Sequence, residues 1–218
     1  MISQTRGPRR RSGGFTLIEL LVVLALLATI LTLGIPALQN LILRSRTEGF
    51  AQDLSMTLQR ARLESIKKNR PAAVAVDPDT NDIVAFLDAD SDGKYDPESG
   101  NPPATLDYEI ARLPLPAYLA YEDPAGNSGE DSIYGLTTVD LGGKSRKAAI
   151  FRPDGSISDP KTDPDAFAFR IADARKNLLE VRIAPPATGK VEIRKYQGSE
   201  WLSSGDPSDP DNKPWEWN

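Results

Sequence analysis

The sequence predicts an α+β fold: a long N-terminal α-helix, membrane-spanning in its first half and packed by its second half on a β-rich head of antiparallel sheets. Three observations predict it. From Phe15 to Leu43 the chain is almost wholly apolar, with Glu19 its only charge. From Arg44 to Lys68 the apolar residues Phe50, Leu54, Leu58 and Ala61, with Ser65, recur at spacings of three and four, which is one narrow face of a helix. Beyond Pro71, short β-prone runs alternate with clusters of Gly, Pro, Asp and Asn.

Residues 1–14 are polar and basic, with Arg6, Arg9, Arg10 and Arg11 and no acid. Basic residues ahead of an apolar run are what targeting and membrane orientation require. The run itself admits three readings. A secretory signal has an apolar core of about 7–15 residues and then a small-residue cleavage site, and this run is longer. A plain membrane anchor needs roughly 20 apolar residues, which Leu17 to Ile35 supplies, but it leaves Glu19 unexplained. An acid costs about 2.5–3.5 kcal/mol near the bilayer centre and less near its edge, so by default it marks a function.

Pro36 is expected to kink the helix, because it removes a backbone donor and crowds the preceding turn. Asn69-Arg70-Pro71 should end it, since the residue before a proline avoids the helical region. A helix from Phe15 to Lys68 measures about 80 Å at about 1.5 Å per residue, too long to bury in a domain of this size. Its first half must lie in lipid or against copies of itself. Strands are expected at Ala73–Val76, Ile83–Leu87, Ala148–Phe151, Phe167–Ile171, Leu179–Ile183 and Val191–Ile193. The expected organisation is a leader at 1–14, a filament-core helix at 15–43, an amphipathic helix half at 44–70, the β-rich head at 71–202 and a flexible tail at 203–218.

Composition narrows the chemistry. The 218 residues include no cysteine and no histidine, so disulfides, thiolate or imidazole metal sites and His-based nucleophilic catalysis are excluded. The usual general base is missing, and the chain does not read as an enzyme. The net charge is −5, and without the four leader arginines the remainder carries −9. So acidic a body disfavours nucleic-acid binding through bulk charge.

Gly13-Gly14-Phe15-Thr16-Leu17-Ile18-Glu19-Leu20 closely resembles the prepilin cleavage and methylation signal. The resemblance implies that a membrane-embedded prepilin peptidase cuts between Gly14 and Phe15 and methylates the new amino terminus of Phe15. Glu19 becomes the fifth mature residue, and Pro36 stands where pilins of this superfamily often carry proline. Arg44 to Pro71, together with Phe151-Arg152-Pro153-Asp154-Gly155-Ser156 and Thr188-Gly189-Lys190-Val191-Glu192-Ile193, is similar to the GspH/FimT family. That family comprises the H-type minor pseudopilins of type II secretion and related minor type IV pilins. The implied partners are other pilin-like subunits in a filament, an inner-membrane assembly platform and membrane lipid. The implied location is the bacterial inner membrane, with the head in the periplasm. In a filament, the Glu19 carboxylate of one subunit could meet the Phe15 ammonium of its neighbour and fix register.

Weaker patterns have competing readings. Asp88-Ala89-Asp90-Ser91-Asp92-Gly93-Lys94-Tyr95-Asp96 fits the first nine positions of an EF-hand-type calcium loop, with Asp88, Asp90, Asp92 and Asp96 as candidate ligands. The twelfth position is Ser99, with Glu98 one residue early, so the alternative is an Asp-rich turn. Arg60, Arg62, Lys67, Lys68 and Arg70 form either a DNA patch or the solvated face of an amphipathic helix. Met56 and Leu63 lie away from the apolar face. Trp215-Glu216-Trp217 is either a hook for a partner or a segment that packs on the head.

Overall fold

A computed structural model describes residues 15–96, 107–135, 137–157, 167–198 and 200–203. The leader and the Trp215–Trp217 segment lie outside the described residues. The chain divides into two compact units, Met1–Leu43 and Arg44–Asn218.

One helix, α1, runs from Leu17 to Lys68. The helix continues through Pro36 without interruption. The N-terminus is capped: the Glu19 N–H donates to the Thr16 hydroxyl oxygen at 3.3 Å, half of the reciprocal pattern that Thr-x-x-Glu sequences form. In the first unit the helix carries only exposed side chains from Leu17 to Thr32. The Thr29 and Thr32 hydroxyls donate to the Ala25 and Ala28 carbonyls at 2.9 and 2.7 Å. Both hydroxyls are thereby satisfied within their own helix, and the surface remains apolar in effect.

The second unit holds the sheets. The strands are β1 (Ala72–Val76), β2 (Ile83–Leu87), β3 (Lys94–Tyr95), β4 (Tyr108–Leu113), β5 (Leu119–Tyr121), β6 (Tyr134–Gly135), β7 (Thr138–Leu141), β8 (Lys144–Phe151), β9 (Phe167–Asp173), β10 (Leu178–Ile183), β11 (Val191–Gln197) and β12 (Glu200–Ser203). One sheet has the order β3-β7-β8-β1-β2-β4; the other has β12-β11-β10-β9-β5, with β6 also on β9. Every pair is antiparallel except β3–β7. β7 and β8 are joined by Gly142 and Gly143 at φ 62° and 77°, the two positive values that a tight two-residue hairpin loop needs.

All six expected strands are present, and all but β2 are longer than expected. β12 reaches Ser203, a residue the sequence reading assigned to the tail. Residues 88–146, which gave no strand pattern in sequence, contribute β3 to β7 and the start of β8.

The expected helix face is the one that packs. Phe50, Leu54, Leu58, Ala61 and Ser65 are all buried, and the first four join one core with Val74, Ile83, Phe151, Phe169, Ile171 and Val181. A second cluster on the other side of β1 and β2 contains Val84, Phe86, Val139 and Leu141. The second sheet also carries a charged strut. Buried Glu180 accepts from the Arg170 Nε at 2.8 Å and lies 3.7 Å from Arg194, while the Arg170 guanidinium stacks on Tyr134 and Trp201.

The helix half and both downstream motifs meet at one point. Arg62 donates from Nε to the Gly155 carbonyl at 2.9 Å, and Ser65 donates to the Arg152 carbonyl at 3.1 Å. Asp154 closes the turn by accepting from Ser156 N–H and Oγ. Gly189 packs against this turn so closely that a Cβ there would lie 2.3 Å from the Gly155 oxygen and 2.9 Å from the Arg62 Nε. Gly189 also has φ 59°, which an L side chain resists. Arg62 is thus part of this contact as well as one of the helix's basic residues. Lys67 pairs with Glu64 at 3.1 Å on the exposed side.

Gly189→Ala should therefore cost on the order of 2 kcal/mol or more, against roughly 0.5 kcal/mol for an ordinary surface change. Urea unfolding monitored by far-UV circular dichroism measures it; a stability within error of wild type would show that the turn yields freely.

Candidate functional site

Two places carry the functional expectations. The first is the start of α1. Phe15 is 80 % exposed, Thr16 caps the helix, and Glu19 lies in its first turn. A carboxylate there faces the positive end of the helix dipole, a local stabilisation of about 0.3–1 kcal/mol. Gly14, on the other side of the expected scissile bond, lies outside the described residues. Pro36 sits within the helix. Among the described residues no helix is long and apolar enough to cross a membrane.

The cap was readable in the sequence as Thr16-x-x-Glu19. It gives Glu19 a part in its own helix besides the role expected between subunits.

The second place is the loop after β2. The carboxylates of Asp88, Asp90 and Asp107 each offer an oxygen, and these oxygens lie within 4.8 Å of one another. Calcium–oxygen distances are about 2.3–2.6 Å, so ligands across one ion stand about 4.6–5.2 Å apart, and the three could share a cation. Asp92 and Asp96 are not part of the group. Asp92 instead accepts from the Lys94 N–H at 2.8 Å and pairs with its ammonium at 3.4 Å. Asp96 donates its N–H to Asp107 Oδ2.

Asp107 was missed in the sequence because its partner lies nineteen residues upstream, across a sheet. Leu87 pairs with Tyr108 in the β2–β4 register, which sets Asp88 beside Asp107.

Asp88 and Asp107 are buried and held by backbone donors. Asp92 and Gly93 N–H reach Asp88 at 3.1 and 2.9 Å, and Ala89 N–H reaches Asp107 at 2.7 Å. Burial pushes the Asp88 carboxyl up to about 6, and the Asp107 charge adds to the shift against the opposing N–H bonds. Asp107 is raised as well, by burial first and then by the charges of Asp90 and Asp96. Carboxylate oxygens have more than one lone pair, so accepting an N–H leaves room for a metal bond.

A carboxyl raised in the folded state binds its proton more tightly there than in the unfolded chain. Its stabilising contribution is full below about pH 4, the unfolded value, and is lost as pH rises through about 6. In chelator, the protein should therefore lose stability between about pH 4.5 and about pH 7, and Asp88→Asn should flatten that slope. Calcium at a hundredfold excess over its dissociation constant should restore about 2.7 kcal/mol at about pH 7. Melting curves with and without calcium measure both. A Tm at neutral pH indifferent to calcium would leave the loop as an Asp-rich turn.

Comparison with known proteins bears on the first place. The prokaryotic N-terminal methylation motif matches residues 9–35, which include Gly14, Phe15 and Glu19. The chain is 34 % identical over 85 residues to the "Pilin-like protein PilA1" of Thermus thermophilus, a match covering 38 % of this chain and about half (53 %) of the relative's length. No solved structure matches. The motif and this similarity, on a chain whose N-terminal helix precedes antiparallel sheets, support a type IV pilin-like protein with a prepilin-type methylation signal.

Proposed function

We propose that this chain is a minor pseudopilin, a structural and assembly subunit of the type II secretion pseudopilus. Prepilin peptidase cuts it between Gly14 and Phe15 and methylates Phe15. The mature chain is held in the bacterial inner membrane by α1, with the β-rich part in the periplasm. From there it joins other pilin-like subunits at an inner-membrane assembly platform. The observation that carries this reading is the methylation motif at the head of a helix whose large apolar side chains from Leu17 to Leu31 are exposed.

The finer assignment to the GspH/FimT type is supported by the convergence of its three characteristic segments. Arg62 and Ser65 of the helix, the Arg152–Ser156 turn and Gly189 form a single clamp. Calcium, in this reading, is a structural clamp on the loop after β2, held by Asp88, Asp90 and Asp107, and takes no part in catalysis.

A second reading places the subunit in a type IV pilus, as a minor pilin in assembly, adhesion or DNA uptake. The name of the Thermus relative favours it. Both readings share the processing step and differ in what fails without the protein. Loss of protein secretion with intact pili on deletion supports the pseudopilus; loss of pili with intact secretion supports the pilus.

Processing itself is tested by mass spectrometry of the membrane-extracted chain, which should begin at methylated Phe15. Gly14→Val should leave the precursor uncut, because a β-branched residue stiffens and crowds the backbone that a protease must grip. Normal processing of that variant would contradict the cleavage assignment.

A further inference from the structure

Between the Arg44–Lys68 part of α1 and the turn into β11 the surface opens into a groove of about 510 Å³. Leu63 and Val191 supply its apolar wall, and Gln59, Arg62 and Lys190 its polar one. Leu63 is 63 % exposed on the side of the helix away from its packed face. Arg62 and Lys190 are engaged, with the Gly155 carbonyl and with Glu192, yet both leave cationic surface along the rim.

We propose that residues 204–218 of the same chain occupy this groove, with the indoles of Trp215 and Trp217 against Leu63 and Val191. Three observations select this occupant. The first is direction: β12 is antiparallel to β11 with Ser203 opposite Arg194, so the chain leaves the sheet heading toward Val191, three residues further along β11. The second is charge: residues 204–218 carry Asp206, Asp209, Asp211 and Glu216 against a single Lys213, complementary to a rim of Arg62 and Lys190. The third is reach: twelve Cα–Cα steps lead from Ser203 to Trp215, up to about 40 Å of extended chain, and Gly205, Pro207 and Pro210 allow it to turn back.

The chemistry fits the residue types. A tryptophan buries about 150–250 Å² and prefers a site with one wet end, where its N–H can reach an acceptor such as the Gln59 amide oxygen. A guanidinium or ammonium against the indole face adds a cation–π contact. The protein already uses that pairing, with Arg170 5.6 Å from the Trp201 ring centre.

The test uses the full chain in detergent with Trp201→Phe, so that emission reports Trp215 and Trp217 alone. Docking predicts blue-shifted emission and acrylamide quenching severalfold weaker than in urea, both independent of protein concentration. Leu63→Asp, at a position too exposed to hold the fold together, should move emission to the red and raise quenching severalfold. Lys190→Glu should act in the same direction and serves as the deciding variant if Leu63→Asp loses its folded circular dichroism. Three results would overturn the proposal: solvent-like emission in the parent, emission indifferent to both variants, or a blue shift that vanishes on dilution, which would assign the groove to another copy.

Discussion

Sixteen large apolar side chains between Phe15 and Ile42 are exposed among the described residues, in a nearly continuous series from Leu17 to Leu31 and again at Ile35, Leu38, Leu41 and Ile42. Burying such a side chain fully is worth roughly 1.5–3 kcal/mol, so together they represent tens of kcal/mol. A whole domain is held folded by about 5–15 kcal/mol. An apolar surface of that size cannot be left to water, and in the proposed function lipid covers it before assembly and neighbouring helices after. The motif at the head of the helix belongs to the same constraint, since cleavage beside Phe15 would place an ammonium and the Glu19 carboxylate at the entrance to that apolar stretch.

The β-rich unit is stabilised in the ordinary way, and its relation to function is indirect. The helix from Arg44 lays Phe50, Leu54, Leu58 and Ala61 into the core and then fixes its last turns through Arg62 and Ser65 to the Arg152–Ser156 turn. Gly189 completes the contact from the far side.

The helix was legible because its period is local: each core residue is three or four positions from the next. The strands rich in Val, Ile and Phe were legible for a similar reason. β4, with Tyr-Glu-Ile-Ala-Arg-Leu, was not, because at this sheet edge only Ile110 is buried and its pattern is mostly polar. β12 was hidden by its single buried residue, Leu202. At the acidic loop, sequence spacing singled out Asp88, Asp90, Asp92 and Asp96, since an alternating run looks like one loop wrapped around an ion; of these, Asp88 and Asp90 stand in the carboxylate group with Asp107. The third carboxylate arrives by strand pairing, a relation between distant residues that spacing alone does not encode. Glu19 stood out from the first because a charge in an apolar run needs a reason, while its cap partner Thr16 drew no notice beside it.

The most direct measurement concerns Glu19. Its contribution to its own helix, through the first-turn dipole, is about 0.3–1 kcal/mol, too little to decide whether a subunit folds or inserts. If its carboxylate instead meets the Phe15 ammonium of a neighbour, removing it leaves that charge unpaired in an apolar filament core, a cost of about 3–5 kcal/mol. Cross-linking of sheared filaments from cells expressing Glu19→Leu, alongside membrane fractionation, separates the two. The variant should be cleaved and inserted as wild type yet be absent from filaments, and Glu19→Asp should be incorporated at an intermediate level. Full incorporation of Glu19→Leu would show that helix packing alone sets the register.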